Sequence, residues 1–257
     1  MKQHVPFLDT NAMEWATGEF PGLFTKMLSS DPATGARTAL QCIDPARGYK
    51  EPTRPHYHSG DEELMVLKGR FSFDAENWLG RYSYCFHPTH TVHGFKSTVT
   101  EESWFVSRVR QDLDFSFSDE YRDSVPYNLD GEEPERAISV ITDPRTREWE
   151  DVTNAAGEVT LRRLVLSRNP VTGEGSMLVE FLPGWVSPHG DHYHSVYEEA
   201  FVMDGELIAA DGTIFTGGCY SFKPPHTVQS RLSSPKGAMV YVNVGGPLDF
   251  LPAEQLA

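Results

Sequence analysis

Two histidines one residue apart mark the stretch of this sequence that is best suited to chemistry. His56 and His58 share one face of an extended strand, because side chains alternate along it. Glu62 has the same parity if the strand resumes after the intervening turn, and His93 follows a second turn at Pro88. Three imidazoles and one carboxylate predict a first-row metal site, with iron, manganese, nickel, copper and zinc as candidates. The alternative is a set of polar residues on a solvated strand.

The same pattern recurs 136 residues later. Between His56 and His93, 14 of 38 positions are identical to their partners at this offset, which indicates an internal duplication. The second half contains its own candidate metal ligands, which are His192, His194, Glu198 and Gln229. Because a glutamine oxygen ligates more weakly than an imidazole, this site either binds a metal through Gln229 or survives as a scaffold. His189 could substitute as a ligand if its loop folds inward.

Two further pairs of residues are repeated beside these ligands. His90 and His226 occupy the same turn in the two halves, and they are our candidate catalytic residues. They could hydrogen-bond to the metal ligands or carry protons, because histidine titrates near neutral pH. A purely structural role in the turn is the alternative. Glu63 and Glu199 follow the predicted carboxylate ligands, so we expect them to point the other way, toward solvent or behind the ligands.

Short strand-like runs separated by glycine and proline extend along the whole chain. No helical period is visible, and this pattern favours an all-β barrel or sandwich. Together with the repeat, it predicts an N-terminal barrel over residues 1–115 and a C-terminal barrel over residues 158–257. Residues 116–157, which are rich in acidic side chains, are expected to form an ordered connector on the surface.

Composition restricts the partners of the protein. The net charge of −15 over 257 residues argues against nucleic acid and anionic membranes, since both require a basic face. Three cysteines without a CxxC spacing indicate reduced thiols. No apolar run resembles a secretory signal or a membrane span. We therefore expect a cytoplasmic protein, monomeric or homodimeric, that acts on a small molecule.

The first metal motif resembles that of the cupin superfamily. The family pattern of His-x-His, Glu and Gly is matched without a gap by His56, His58, Glu62 and Gly69. Pro88 and His93 match the end of the second cupin motif. His90 stands where the family usually has glycine, and seven residues separate Gly80 from Pro88 where the family has five. The resemblance implies two tandem cupin barrels, each a jelly roll or double-stranded β-helix.

Within the cupins, the chain is similar to the ChrR-type group. The shared features are Trp15, Pro21-Gly22-Leu23, the turn from Asp31 to Gly35, and the segment from His56 to Gly69. The Gly246–Phe250 segment is similar to the acetylacetone-cleaving dioxygenase, although that enzyme uses three histidines and no carboxylate at the position of Glu62. The internal duplication is a second difference from that enzyme.

This resemblance implies a metal-dependent oxygenase that acts on a small carbonyl or aromatic compound and cleaves a carbon–carbon bond. The metal expected is Fe(II), with Mn(II), Ni(II) and Zn(II) as alternatives. Two other functions are compatible with the same ligands. One is an oxygen-independent lyase, isomerase or decarboxylase, and the other is a metal-binding sensor without enzymatic activity.

Overall fold

The protein is described by a computed structural model that covers residues 1–52, 54–131 and 134–256. Within those ranges the regular structure consists of β-strands and short 3-10 turns, which confirms the prediction of an all-β fold. Contacts divide the chain into two compact units. The first is Met13–Thr146 together with Met1, and the second is Arg147–Ala257 together with Lys2–Ala12. The barrel and connector bounds expected from the sequence stay predictions, and four of their residues, Thr53, Glu132, Glu133 and Ala257, lie outside the described ranges.

The strands up to residue 141 follow one another closely. They are β1 (Val5–Asp9), β2 (Ala16–Thr17), β3 (Leu23–Ser30), β4 (Gly35–Ile43), β5 (His56–Tyr57), β6 (Glu62–Lys68), β7 (Phe71–Ser72), β8 (Trp78–Leu79), β9 (Tyr84–His87), β10 (Thr91–Val92), β11 (Thr98–Val99), β12 (Ser103–Gln111), β13 (Ser116–Phe117), β14 (Tyr127–Asn128) and β15 (Ser139–Ile141). In the first unit the main antiparallel sheet has the order β15-β9-β6-β12-β4-β3-β2. Smaller sheets pair β5 with β13, β10 with β14, and β7 with both β8 and β11.

The remaining strands belong to the second unit. They are β16 (Glu150–Thr153), β17 (Val159–Arg168), β18 (Gly175–Phe181), β19 (Trp185–Val186), β20 (His192–Tyr193), β21 (Glu198–Ala209), β22 (Ile214–Thr216), β23 (Cys219–Lys223), β24 (Leu232–Ser234), β25 (Ala238–Val244) and β26 (Leu251–Pro252). Its main sheet has the order β1-β23-β21-β25-β18-β17-β16. The first strand of the chain, β1, therefore completes the sheet of the second unit.

A hydrophobic core fills each unit. In the first unit, Leu64 and Val66 of β6 pack with Phe105 of β12 and with Phe71 of the small sheet. Leu64 and Val66 are two positions apart, as expected for residues on one face of a strand. In the second unit, Val202 of β21 lies in the equivalent cluster. In the first unit this core packs the main sheet, which carries Glu62, against the small sheet of β7 and β8.

A buried carboxylate is paired with cations behind β6. Glu63 is only 1% exposed and accepts hydrogen bonds from Tyr84 Oη at 2.5 Å and from Arg136 Nη2 at 2.8 Å. Arg108 Nη1 lies 3.3 Å from its other oxygen. The position is therefore buried instead of facing solvent. A buried carboxylate is tolerated when it is paired and hydrogen-bonded in this way.

The second unit repeats this arrangement with a different cation. Glu199 is 4% exposed and accepts from Tyr220 Oη at 2.5 Å and from Lys2 Nζ at 2.7 Å. Lys2 precedes β1, so the ion pair fixes the start of the chain to the second unit. The equivalent carboxylates Glu63 and Glu199 are thus each paired with a cation. Arg136 supplies it in the first unit and Lys2 in the second.

Two other features bear on the sequence predictions. All three cysteines, Cys42, Cys85 and Cys219, are buried and free of disulfides. Among the described residues, no helix has the length and apolar character needed to span a bilayer.

Replacing Arg136 by alanine should destabilise the first unit, because Glu63 would lose its shortest cationic partner in a buried site. We expect the free energy of unfolding to fall by about 2–3 kcal/mol in urea denaturation, somewhat less than for a fully broken pair, since Arg108 remains. Arg145→Ala is the control, because Arg145 is exposed and pairs with Asp143 at the surface. Equal midpoints for the two variants would contradict this role of Arg136.

Candidate metal centre

Backbone pairing brings the candidate ligands of the first unit together. His56 and His93 form an antiparallel bridge in which each backbone N–H donates to the other's carbonyl at 2.9 Å. Glu62 begins β6 and is paired with His87 at the end of β9. His58 directly follows β5 and has the same parity as His56. All four histidines of this cluster are at most 4% exposed.

Hydrogen bonds at Nδ1 fix the orientation of three of these rings. A carbonyl oxygen can only accept, so each Nδ1 must carry the proton and each Nε2 presents a lone pair. The accepting carbonyls are those of Arg54 for His56, at 3.3 Å, of Thr91 for His93, at 2.9 Å, and of Asp114 for His58. This is the tautomer that a metal-binding imidazole requires.

The lone pairs converge on one point. One ligand atom from each of His56, His58 and His93 lies within 4.8 Å of the others. His58 Nε2 is buried and has no hydrogen-bond partner. Glu62 Oε2 lies 3.3 Å from His93 Nε2 and 4.0 Å from His58 Nε2. Acceptors that face each other in a buried site need a cation between them, so these residues fit a divalent metal ion.

Electrostatics keep the ligands in their metal-binding forms. Burial, together with the neighbouring imidazoles, lowers the pKa of His56 to about 3 and that of His93 to about 4. Burial would raise the pKa of Glu62, but the neighbouring His87 and His93 rings outweigh it and hold that pKa well below its usual value. At neutral pH His56 and His93 are therefore neutral imidazoles, and Glu62 is a carboxylate.

A fourth imidazole, His87, belongs to the same cluster. Its ring stacks on His93 with centroids 4.1 Å apart, and its Nδ1 lies 3.4 Å from Glu62 Oε2. Together with Glu62 and His93 it forms a second group of converging ligand atoms. The sequence pattern missed His87, because only the register of β6 against β9 places it beside Glu62. The signal available was its position immediately before Pro88.

A cavity of about 1050 Å³ opens next to this centre inside the first unit. His56, Glu62 and His93 contribute to its wall, so the metal position faces the cavity. Phe73 and Phe115 also line it, and their rings lie 5.5 Å from His93 and 4.8 Å from His58. The volume is sufficient for a small organic molecule beside the ligands.

The second unit preserves the histidine orientation but not the cluster. His192 and His194 direct Nδ1 to the carbonyls of Gly190 and Asp249. In the described part of this unit, however, no three His, Cys, Asp or Glu side chains converge as they do in the first. Lys223 enters instead, with its Nζ 2.6 Å from Gln229 Oε1 and 3.9 Å from Glu198 Oε2. These residues do not fit a metal ion as the first set does.

The turn histidines, His90 and His226, are joined to the second histidine of each motif by a backbone hydrogen bond. The N–H of His90 donates to the His58 carbonyl at 2.8 Å, and that of His226 donates to the His194 carbonyl at 2.8 Å. Both adopt a left-handed conformation, with φ of 63° and 64°, which explains why glycine is usual at this position. The His90 ring contacts Asp130 Oδ2 at 2.9 Å, and the His226 ring packs near Tyr193. Their catalytic role stays a prediction.

His189, the alternative ligand of the second unit, stacks on Phe250. The two ring centroids are 4.1 Å apart and the planes are 15° from parallel. The His189 ring also lies 5.9 Å from that of His192. His189 is therefore held against an aromatic ring at the edge of the histidine group.

Comparison with solved structures identifies the fold as that of the cupins. A candidate dioxygenase from Nostoc punctiforme PCC 73102 matches with a TM-score of 0.74 and 19% identity, over 98% of this chain and 88% of that one. Oxalate decarboxylase from Lactobacillus farciminis, as its formate complex, matches with a TM-score of 0.53 and 12% identity, over 95% and 87%. A mutant of salicylate 1,2-dioxygenase from Pseudoaminobacter salicylatoxidans matches with a TM-score of 0.54 and 11% identity, over 82% and 71%.

Residues 41–251 match the family described as a domain of unknown function, DUF4437, and the chain belongs to this family. The match covers both histidine motifs. No curated protein matches the sequence.

Gly94 allows His56 to reach its position. A Cβ at Gly94 would lie 2.6 Å from His56 Cε1, and the residue has a φ of +76°. Gly94→Ala should therefore displace the ring and weaken metal binding by about tenfold or more, as measured by metal titration. Gly131→Ala is the matched control, with φ of +73° and no described atom within 4 Å of its Cβ. Equal loss of affinity in both variants would exclude this steric role.

The metal-free protein should lose stability in mild acid. His56 and His93 have lowered pKa values of about 3 and about 4 in the folded state, against 6.5 when unfolded. Between pH 6.5 and pH 4 the unfolded chain therefore binds more protons, so the free energy of unfolding falls as the pH falls. Urea midpoints of chelator-treated protein at pH 7.5, 6 and 5 measure this effect. The urea midpoint should fall less steeply with pH in a His56→Gln/His93→Gln variant. An unchanged slope in that variant would refute the role of these two histidines.

Proposed function

We propose that this protein is a metal-dependent oxygenase of small carbonyl or aromatic compounds, built on two tandem cupin barrels. The first unit would hold the metal through His56, His58, Glu62 and His93. The observation that carries the proposal is that three imidazoles with fixed Nδ1 hydrogen bonds converge beside one carboxylate, and that His56, His93 and Glu62 face a cavity large enough for a substrate. Fe(II) is the metal we propose, and the dioxygenases among the solved structures of the same fold support this choice.

A metal bound there would supply Lewis-acid and redox chemistry to the substrate and dioxygen. The protein's own contribution is orientation and exclusion of water. Phe73 and Phe115 pack against the ligand rings on the cavity side and provide an apolar surface for a flat or aliphatic substrate. The imidazoles of His56, His58 and His93 are at most 4% exposed, and this separation from bulk water strengthens electrostatic interactions around them.

His87 is a positioning residue in this scheme. Its Nδ1–H faces Glu62 Oε2, and its ring packs flat on His93. It thereby fixes the orientation of one carboxylate ligand and one imidazole ligand, and it can hold a proton at Nδ1 next to the reacting atoms. Partners that orient metal ligands commonly affect metal affinity and activity by tenfold or more.

The proposal also covers the cellular context. The acidic composition and the reduced cysteines support a cytoplasmic enzyme with a small-molecule substrate and no nucleic-acid or membrane partner. The ChrR-type or acetylacetone-dioxygenase-like subtype stays a prediction from the sequence.

Oxygen consumption tests this function directly. Protein reconstituted anaerobically with Fe(II) should take up oxygen when β-diketones or hydroxyaryl ketones are added. His58→Ala should reduce the rate by at least about a hundredfold, since it removes a metal ligand. His4→Ala, which changes an exposed histidine, should leave the rate unchanged. Turnover of the same compounds without oxygen would favour the lyase or decarboxylase alternative, and an iron-loaded protein that consumes no oxygen with any of them would overturn the proposal.

A further inference from the structure

The internal repeat aligns two metal-site residues of the first unit with residues that cannot replace them. At the offset of 136, His87 corresponds to Lys223 and His93 corresponds to Gln229. His192, His194 and Glu198 keep the types of their partners. An ammonium group and an amide thus stand where the first unit has two imidazoles.

The lysine ammonium occupies the centre of a hydrogen-bonded group. Lys223 Nζ donates to Gln229 Oε1 at 2.6 Å and lies 3.9 Å from Glu198 Oε2. Because an ammonium group only donates, the amide oxygen of Gln229 must face Lys223. The amide nitrogen then donates to Glu198 Oε2 at 2.7 Å. The only atom through which Gln229 could ligate a metal is therefore already bound to a cation.

The charges of the group are also balanced without an ion. Lys223 is 17% exposed and Glu198 is 18% exposed, so both charges are largely removed from water. A partly buried carboxylate requires a cationic partner. In the first unit that partner would be a metal ion, and in the second unit it is a lysine. A divalent ion entering here would add charge to a site whose carboxylate already has a cationic neighbour, and it would meet the N–H donors of Lys223 and Gln229 where the first unit has imidazoles.

We infer that the Lys223 ammonium group takes the place of the metal ion in the second unit, so that each chain binds a single metal ion, in the first unit. The lysine is a permanent part of the chain, whereas the ion in the first unit exchanges with solvent. The second unit would consequently retain its structure without metal. This goes beyond the proposed oxygenase function and does not depend on which reaction the first unit catalyses.

Metal stoichiometry provides the first test. Co(II) titration, followed by visible absorption and by elemental analysis after dialysis, should give one equivalent per chain. That equivalent should be lost in His58→Ala and retained in His194→Ala. Two equivalents, or a single equivalent that is lost only in His194→Ala, would refute the inference. No binding at all would instead refute the proposed metal centre of the first unit, so the two failures are distinguishable.

A gain of binding provides the second test. The substitutions Lys223→His and Gln229→His recreate the first-unit residue types, and they are made in the His58→Ala background. This triple variant should regain about one equivalent of Co(II), with His58→Ala alone as the control. A folded triple variant, as judged by circular dichroism, that binds no Co(II) would contradict the claim that these two residues exclude the metal.

A third measurement applies even if the triple variant fails to fold. Lys223→Met leaves Glu198 without its cation, and Lys223→Met/Glu198→Gln removes both charges. If the ammonium group neutralises the carboxylate, the melting temperature should fall more in the single variant than in the double variant. A double variant that melts as low as the single variant, or lower, would show that the ammonium group does not compensate the carboxylate and would overturn the inference.

Discussion

The structure depends on hydrogen bonds that run from histidine Nδ1 atoms to backbone carbonyls. An imidazole can rotate and change tautomer, so two histidines on one strand do not by themselves form a ligand set. In both units, the second histidine of the motif donates to a carbonyl more than fifty residues away, that of Asp114 for His58 and that of Asp249 for His194. The carboxylate of each aspartate also accepts from the backbone N–H of the serine that follows the histidine. Ring orientation is therefore a property of the completed fold.

This constraint sets the electrostatic state of the first unit. Once the Nδ1 protons are directed outward, the Nε2 lone pairs and the Glu62 carboxylate face one another in a buried space. Such an arrangement is unfavourable without a cation, because acceptors face one another and the buried His58 Nε2 has no hydrogen-bond partner. The surrounding cores and the Glu63–Arg136 pair hold the strands in place despite this cost. Because the fold has already oriented the ligands, little of an ion's binding energy would be used to order them, and the affinity is correspondingly higher.

Sequence reasoning could reach the features that are local in the chain. The spacing of His56, His58 and Glu62 fixes their common face, and Gly69 ends β6 with a φ of +77°, where glycine is favoured. These features, the all-β class and the duplication follow from pattern alone. His87 could not be assigned in the same way, because it meets Glu62 only through the pairing of β9 with β6. The burial of Glu63 was equally inaccessible, since its partner Arg136 lies 73 residues further along the chain.

The two units show that one backbone framework admits two ways of compensating the same buried carboxylate. In the first, the pair of histidines at positions 87 and 93 leaves lone pairs that only an added cation can satisfy. In the second, the side chains of Lys223 and Gln229 supply the cation and the hydrogen-bond donor for Glu198. The residues that differ lie at the end of β9, at the end of β23 and in the turns that follow, whereas the His-x-His and Glu positions are shared. Under the inferred scheme, the residues opposite the first motif decide which unit binds a metal ion, because they determine whether the carboxylate still lacks a cation.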